Sequence, residues 1–293
     1  MKSVKGKKSA APVPVSQMEV LDDRHKLREY CRQNNLQFPD YAASDQFAKI
    51  SLWAMKKNAF PMCIKTSKNL TNNKFFYILK AFRELPEFFE NIQKENSNCE
   101  VLIEEFLEGK ARLEVTVLNK EIRMISQICL NKTMKLQHKW RAFPITLPEN
   151  IANKISVVIK CFNELIASTD EPLSFGFVVK NGEPVLLSIN KNSNRIEFDE
   201  DWRKQAELEP LEEAVYPSKS KIINKLSIYR GFKEIPANLE KAFDVCSKTK
   251  VKWEISGSKL YVMLSSADTK AISEDCEKLD AMIKQLLGAM KSE

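Results

Sequence analysis

The scarcity of glycine is the feature that most limits what this chain can form. The 293 residues contain only seven glycines. Loops that cradle phosphates depend on glycine, because their backbone must approach the ligand closely and adopt conformations closed to other residues. The chain has neither a GxGxxG sequence nor a Walker-type loop. The sequence therefore disfavours Rossmann-type dinucleotide binding and P-loop chemistry.

Length and composition are those of a water-soluble chain with two packed units. Domains usually contain about 100–200 residues, and 43% apolar with 29% charged residues is an ordinary balance. No stretch approaches the ~18–20 uninterrupted apolar residues of a membrane helix. Residues 1–18 are rich in Lys, Ala and Pro at their start and lack a signal-peptide core. We predict a disordered basic tail there, a cytoplasmic location and no membrane partner.

The positive charge of the chain is concentrated in that tail. The net charge is +7, and four charges belong to Lys2, Lys5, Lys7 and Lys8. Elsewhere basic and acidic residues are mixed, without the clustered stripe and interleaved aromatics of a nucleic-acid surface. The charge pattern fits small anionic molecules as well as nucleic acid, and we do not expect a nucleic-acid partner.

The cysteines do not form a metal-binding or disulfide pattern. Their number is odd and no pair has CxxC spacing, as the positions show: Cys31, Cys63, Cys99, Cys129, Cys161, Cys246 and Cys276. Only His25 and His138 could supplement them as zinc ligands. We therefore interpret them as core or surface thiols of a reducing compartment.

Apolar periodicity predicts helices and short strands in alternation. The predicted helices are Asp22–Asn34, Ser51–Lys57, Glu84–Asn96, Glu149–Ser168 and Ile272–Met290. The predicted strands are Phe60–Lys65, Phe75–Leu79, Val101–Phe106, Ala111–Leu118, Glu121–Leu130, Leu173–Val179, Pro184–Asn190, Lys221–Arg230, Val251–Ile255 and Leu260–Ser265. Asn69–Lys74 is predicted to be a polar loop, and Asn181-Gly182 is a strong hairpin signal. Asp199–Ser218 begins helical and then becomes a connection.

Three strings in this order resemble the ATP-grasp superfamily, in its biotin carboxylase and carbamoyl phosphate synthetase branch and its carboxylate–amine ligase relatives. They are Phe60–Lys65, Val101–Gly109, and the hairpin Ser174–Phe177 with Val185–Asn190. The resemblance runs from about Asp22 to the end of the chain. It implies an α+β fold of two lobes around a nucleotide cleft, with a small C-terminal α/β subdomain. The implied boundaries are a tail at 1–18, a core at 19–205 (smaller lobe about 45–106, larger lobe about 107–200) and a subdomain at 206–293.

The resemblance also implies which residues bind a nucleotide, with ATP as the candidate cofactor. Lys65 takes the place of the lysine that contacts the phosphates, and Arg24 stands where the family has a second phosphate-reaching lysine. Backbone groups of Glu105 and Leu107 take the places that contact the adenine edge, with Glu104 in the same patch.

The metal site departs from the family pattern. The family hairpin places two glutamates and one asparagine on magnesium ions, whereas this chain has Gly176, Ser188 and Asn190 at those positions. Only Asn190 remains as a candidate metal ligand, and magnesium prefers carboxylates and phosphate oxygens. The segment after Lys65 lacks glycine, and the family's usual N-terminal domain has no counterpart in this sequence. The resemblance therefore puts Mg²⁺ binding in doubt.

Three hypotheses of function follow from these observations. The first is a non-catalytic or weakly nucleotide-binding regulatory protein that acts on a protein partner or as a homodimer, with no catalytic residues. The second is an active ATP-dependent carboxylate–amine ligase that works through an acyl phosphate. The third, ranked last, is a polyanion- or membrane-surface-binding protein that uses its basic tail. The metal-site substitutions favour the first.

Overall fold

The computed structural model describes residues 15–68, 76–95, 99–107, 112–132, 136–191, 199–205, 208–218, 221–230, 232, 236 and 238–289. The helices of these parts are α1 (Arg24–Gln33), α2 (Phe47–Lys57), α3 (Leu85–Glu95), α4 (Glu149–Lys160), α5 (Asn163–Ala167), α6 (Glu200–Gln205), α7 (Leu239–Phe243) and α8 (Thr269–Ala289). Two short 3₁₀ helices cover Gln17–Leu21 and Phe82–Glu84.

The strands form two antiparallel sheets. They are β1 (Tyr41–Ser44), β2 (Met62–Thr66), β3 (Phe76–Leu79), β4 (Val101–Glu105), β5 (Arg112–Leu118), β6 (Glu121–Lys132), β7 (Leu136–Phe143), β8 (Leu173–Lys180), β9 (Glu183–Lys191), β10 (Ile223–Arg230), β11 (Lys250–Ser256) and β12 (Lys259–Ser266). The smaller sheet has the order β1-β4-β2-β3, and the larger has the order β11-β12-β10-β7-β6-β5-β8-β9. With helices packed on both sheets, the α+β prediction is confirmed.

The smaller sheet has one apolar and one polar face. Because side chains alternate along a strand, Met62, Ile64 and Ile103 point to one face, where they pack with the apolar sides of α2 and α3. Lys65 and Glu104 occupy the opposite face. Apolar side chains of β2 and β3 lie on that face as well, so the charged pair is surrounded in part by apolar groups.

The larger sheet separates two environments in the same way. One face of β5, β8 and β9 packs on α1, α4 and α5 to form the largest apolar core. The other face carries the polar residues of the hairpin that the sequence analysis singled out. The three strands of segment 206–293 extend this sheet, because β10 pairs with β7. Helix α8 packs against one face of β10, β11 and β12.

Two tight turns match their sequence signals. The Asn181-Gly182 turn between β8 and β9 has φ values of 54° and 77°, which confirms the predicted hairpin. Asn119 and Lys120, between β5 and β6, also have positive φ. In both turns an asparagine accepts a left-handed conformation that most residues resist.

Some element predictions were wrong. Strand β1 was missed because it is short and mostly half-buried, and β7 because its charged sequence hides the alternation. The single helix predicted over Glu149–Ser168 is interrupted at Phe162, whose buried ring packs on Tyr30 and Phe175. Tertiary packing thus overrides helical propensity at that point. The predicted loop Asn69–Lys74 lies outside the described residues.

Two further observations concern the chain as a whole. The seven cysteines are free thiols. Among the helices of the described residues, none combines the length and the apolar character that crossing a membrane requires.

Candidate functional site

The polar face of the smaller sheet carries a buried ion pair. Lys65 on β2 and Glu104 on β4 lie diagonally across neighbouring strands, and the Lys65 Nζ is 2.5 Å from the Glu104 Oε1. Each residue is only 4% exposed. The lysine predicted to contact phosphate therefore already has a carboxylate partner within the protein.

Arg28 joins this pair and was not predicted. Its Nε and Nη2 donate to the Glu104 Oε2 at 3.2 and 3.0 Å. Its Nη1 and Nη2 also donate to the backbone carbonyls of Leu186 and Leu187 on β9, at 3.3 and 2.7 Å. The fully buried guanidinium thus connects helix α1 with one strand of each lobe.

Arg24 lies one helical turn before Arg28 and extends the cluster toward the end of β2. Its Nη1 donates to the carbonyls of Thr66 and Lys68 at 2.9 and 3.1 Å, and its backbone N–H donates to Ser67 O. The structure therefore brings the predicted residues Arg24, Lys65 and Glu104 together.

Burial and the charges of neighbouring groups shift the pKa values in this cluster, which has more positive than negative groups. Burial, opposed by Glu104, lowers the pKa of Lys65 to about 8. Burial also lowers the pKa of Arg24 to about 10. For Glu104, attraction by Arg28 and Lys65 overcomes burial and holds the pKa down at about 2. One carboxylate therefore faces three cationic groups, and the cluster is suited to a further anion.

The predicted adenine-contacting positions, Glu105 and Leu107, lie at the end of β4 and just after it. We call these two residues the hinge, because the chain passes here from the smaller sheet to the larger one. The Glu105 N–H donates to Asp40 O at 3.0 Å, and the Leu107 O accepts from Arg112 Nη2 at 3.0 Å. The Glu105 side chain forms a partly exposed ion pair with Lys180. Both predicted adenine-contacting positions thus lie beside the cluster, and two of their backbone groups are engaged within the protein.

The predicted metal positions lie on the polar face of the larger sheet. Glu114, Gly176 and Ser188 form one row across β5, β8 and β9, because Glu114 pairs with Gly176 and Gly176 pairs with Ser188. Asn190 belongs to the next row, opposite Ser174. The carboxylate of this row is not available as a simple ligand, since Glu114 is buried and 3.3 Å from Arg141.

Two buried hydroxyl groups lie close to this row, because Ser126 pairs with Glu114 and Thr116 belongs to the next row. Thr116 Oγ1 and Ser126 Oγ are fully buried and lack a hydrogen-bond partner within the part of the chain that the structure describes. Within those same ranges, no group of three or more His, Cys, Asp or Glu side chains could hold a metal. Neutral hydroxyls and one paired carboxylate do not match the donor set that magnesium prefers, so the residues present do not fit this ion.

Gly176 and Ser188 are fitted to each other. A Cβ built at Gly176 would lie 2.6 Å from the Ser188 Oγ, well inside van der Waals contact. The serine hydroxyl thus occupies the space through which any side chain at position 176 would have to pass. The loss of a carboxylate at 176 and the presence of serine at 188 form one local packing arrangement.

This arrangement predicts that substitutions at the two positions are coupled. Gly176→Ala is expected to cost about 1 kcal/mol, because the Ser188 hydroxyl must leave its rotamer. In a Ser188→Ala background the same change should cost almost nothing, since the Ser188 Cβ is 3.9 Å from the new methyl group. Chemical denaturation of the four proteins of this cycle measures the coupling. Equal costs in both backgrounds would contradict it.

Acids that follow β9 in the chain are further candidates for a metal site, and the structure describes two of them, Asp199 and Glu200. The Asp199 Oδ1 accepts a hydrogen bond from the Trp202 backbone N–H at 2.8 Å, as a cap of helix α6. Glu197 and Arg195 lie outside the described residues. Glu200 begins α6 and is exposed.

The sequence analysis named Arg24, Lys65 and Glu104 as site residues but not Arg28, Glu114 and Arg141. Arg28 carried a usable signal, because residues four apart lie on one helix face and Arg24 was already a candidate. No comparable sequence signal marks Glu114 and Arg141, because their ion pair depends on the order of the strands in the sheet.

Comparisons with known proteins agree with this architecture. No protein-family model matches the chain, and no curated protein matches it significantly. Similar solved structures include an ADP complex of PurK, the N5-carboxyaminoimidazole ribonucleotide synthetase, with a TM-score of 0.66 and 11% identity over 92% of this chain and 73% of that one. An ATP complex of carboxyaminoimidazole ribonucleotide synthase from Aspergillus clavatus has a TM-score of 0.65 and 10% identity, covering 92% and 74%.

A third similar structure is an L-amino acid ligase from Bacillus licheniformis, with a TM-score of 0.64 and 14% identity over 93% of this chain and 73% of that one. These proteins are ATP-grasp superfamily members, and identities this low carry a likeness of fold alone. The resemblance inferred from the sequence is confirmed at that level: this chain has the ATP-grasp fold.

Proposed function

We propose that this protein binds a nucleotide or a closely related phosphate ligand in its cleft without magnesium-assisted phosphoryl transfer, and acts as a regulatory or interaction protein. The observation that carries the proposal is the Gly176–Ser188 pair, two neutral residues packed against each other where the family resemblance implies metal-binding carboxylates. Phosphoryl transfer depends on metal ions to neutralise developing charge. Removing comparable stabilisation costs about 3 kcal/mol or more, roughly a hundredfold in rate.

The cation cluster explains how phosphate binding could persist without the metal. Arg28 and Lys65 share one carboxylate, Glu104, and Arg24 lies one helical turn before Arg28 at the end of β2. A phosphate oxygen placed near Arg24 and Lys65 would gain charge-assisted hydrogen bonds, which are stronger than neutral ones. The hinge at Glu105 and Leu107 lies beside the same cluster, so base and phosphate positions are adjacent.

An active carboxylate–amine ligase is the second candidate. The position of Lys65 beside the hinge favours it, since the same position suits a reactive nucleotide. Under this alternative Lys65 binds phosphate, and Asn190 with a displaced acid binds magnesium. ATP turnover that disappears in Lys65→Ala would support the ligase.

Calorimetric titration with ATP, in excess magnesium and in excess chelator, tests the proposal. We expect the two affinities to differ by less than about threefold, because the described residues offer magnesium no cluster of acidic side chains. Affinity should fall as the pH rises from about 7 to about 9, since Lys65, with a pKa of about 8, loses its proton there.

Two variants serve as controls for this titration. Arg24→Gln removes a half-buried cation of the cluster and should weaken ATP binding about tenfold. Lys259→Gln removes an equal charge from an exposed strand end and should leave the affinity unchanged. Tight binding that requires magnesium, or release of ADP, would overturn the proposal in favour of the ligase.

A further inference from the structure

A second pocket lies at the far end of the larger sheet. It has a volume of about 200 Å³ and is enclosed by the starts of β6, β10 and β11, the ends of β7 and β12, and the connection after α6. In an antiparallel sheet these termini share one edge. Apolar side chains contribute one part of the lining: Met124, Phe143, Leu208, Val215 and Ile222.

Cationic side chains dominate the polar part of this lining. Arg123, Arg203, Lys250 and Lys252 line the pocket together with the acid Glu209. Strand alternation explains the two lysines, because Val251 and Trp253 pack against the α8 side and their neighbours must point to the opposite face. The pocket therefore combines apolar walls with an excess of positive charge.

The two arginines are held in place by backbone carbonyls. The Arg203 Nε donates to Glu209 O at 2.7 Å, and this residue is only 4% exposed. The Arg123 Nε and Nη1 donate to Leu118 O and Ala214 O, and its Nη1 also forms an ion pair with Glu121. Hydrogen bonds to carbonyl oxygens orient a guanidinium without removing its charge. Arg203 is therefore a buried cation with a fixed orientation at the pocket.

This pocket is separate from the nucleotide cleft. Strand β5 runs from Arg112, which contacts the hinge, to Leu118, which contacts the pocket residue Arg123. Seven residues of strand span roughly 20 Å. A ligand here would not compete with a ligand at Lys65.

We propose that the pocket binds a small organic anion, with one carboxylate or phosphate monoester group on an apolar body. The charged group lies toward Arg203, Lys250 and Lys252, and the apolar body lies against Met124, Phe143 and Ile222. Small-molecule sites commonly combine apolar walls with a few placed polar groups in this way.

Titration with phenyl phosphate and with benzoate, compared with uncharged benzyl alcohol, tests this site. We expect both anions to bind in the millimolar range or more tightly and the alcohol not to bind. The double variant Lys250→Gln/Lys252→Gln should weaken anion binding about tenfold. Val215→Glu, at an exposed position of the lining, should weaken it without removing any cation.

Lys259→Gln is the matched control, because it removes a lysine from the β11–β12 hairpin outside the pocket. It should leave anion affinity unchanged, as should Arg24→Gln in the nucleotide cleft. Equal weakening by Lys259→Gln would reduce the effect to net charge, and weakening by Arg24→Gln would place the anion in the cleft. Either result, or no binding of either anion, overturns the proposal.

Discussion

Replacing Glu104 by glutamine is expected to destabilise the protein by about 3 kcal/mol, which would be among the largest losses for a nearly isosteric change. The substitution leaves the buried Arg28 and Lys65 without a counter-charge. Breaking a buried pair by removing one partner typically costs about 3–5 kcal/mol. The pKa of Glu104, held at about 2 by Arg28 and Lys65 in spite of burial, agrees with the sign of this effect, because the folded state favours the charged carboxylate. Denaturant unfolding at neutral pH measures the loss.

The same carboxylate predicts an acid dependence. Because the folded state lowers the pKa of Glu104, its contribution is complete above pH 4.5 and is lost as the pH falls to about 2. The wild-type protein should lose stability across this window. The Glu104→Gln variant should lack this part of the loss, since glutamine does not titrate.

Two further variants show whether the loss of stability in Glu104→Gln comes from the buried ion pair. Glu105→Gln changes the neighbouring residue, whose ion pair with Lys180 is over a third exposed on both sides, and should cost no more than about 0.5 kcal/mol. Adding Lys65→Met to Glu104→Gln should recover part of the loss, because it removes one uncompensated buried charge. A Glu104→Gln protein as stable as wild type would show that the cluster is not held by this carboxylate.

Much of the fold was predictable because its signals are local. The Asn181-Gly182 turn, the strand Phe60–Lys65 and the closing helix of 272–290 are evident from turn chemistry and periodicity. Strand β7 was not, because its sequence mixes charges with aromatics and its place depends on pairing with β6 and β10. Such long-range pairing has no short-range sequence signature.

The sequence named some residues of the charged cluster but not the interactions that join them. The resemblance named Lys65 and Glu104 as separate contributors to nucleotide binding. The structure shows them as one buried pair with Arg28. Likewise, Gly176 and Ser188 were identified only as departures from the family pattern, whereas strand register places them opposite each other and in contact. Interactions across strands follow from register, which a single sequence does not specify.

Restoring carboxylates at both altered positions should create a response to magnesium that the wild-type protein lacks. In Gly176→Glu/Ser188→Glu, two acids would stand opposite each other and beside Glu114. Like charges directly opposite on neighbouring strands are destabilising, so the metal-free variant should be less stable than wild type by about 1–3 kcal/mol. Magnesium, which prefers carboxylates, should recover much of that loss. Thermal unfolding with magnesium and with chelator measures the difference.

The matched control is Gly176→Gln/Ser188→Gln, which adds side chains of the same size without charge. Both double variants must move the side chain at position 188, because its γ-atom blocks position 176. A loss of stability common to both is therefore steric, whereas a recovery with magnesium confined to the glutamate pair is electrostatic. If magnesium does not change the stability of the glutamate variant, the side chains at these positions do not face a space that can hold a metal ion. If magnesium stabilises the wild-type protein equally, the protein already has a metal site in spite of the Gly176–Ser188 pair. The proposed metal-free function would then be wrong.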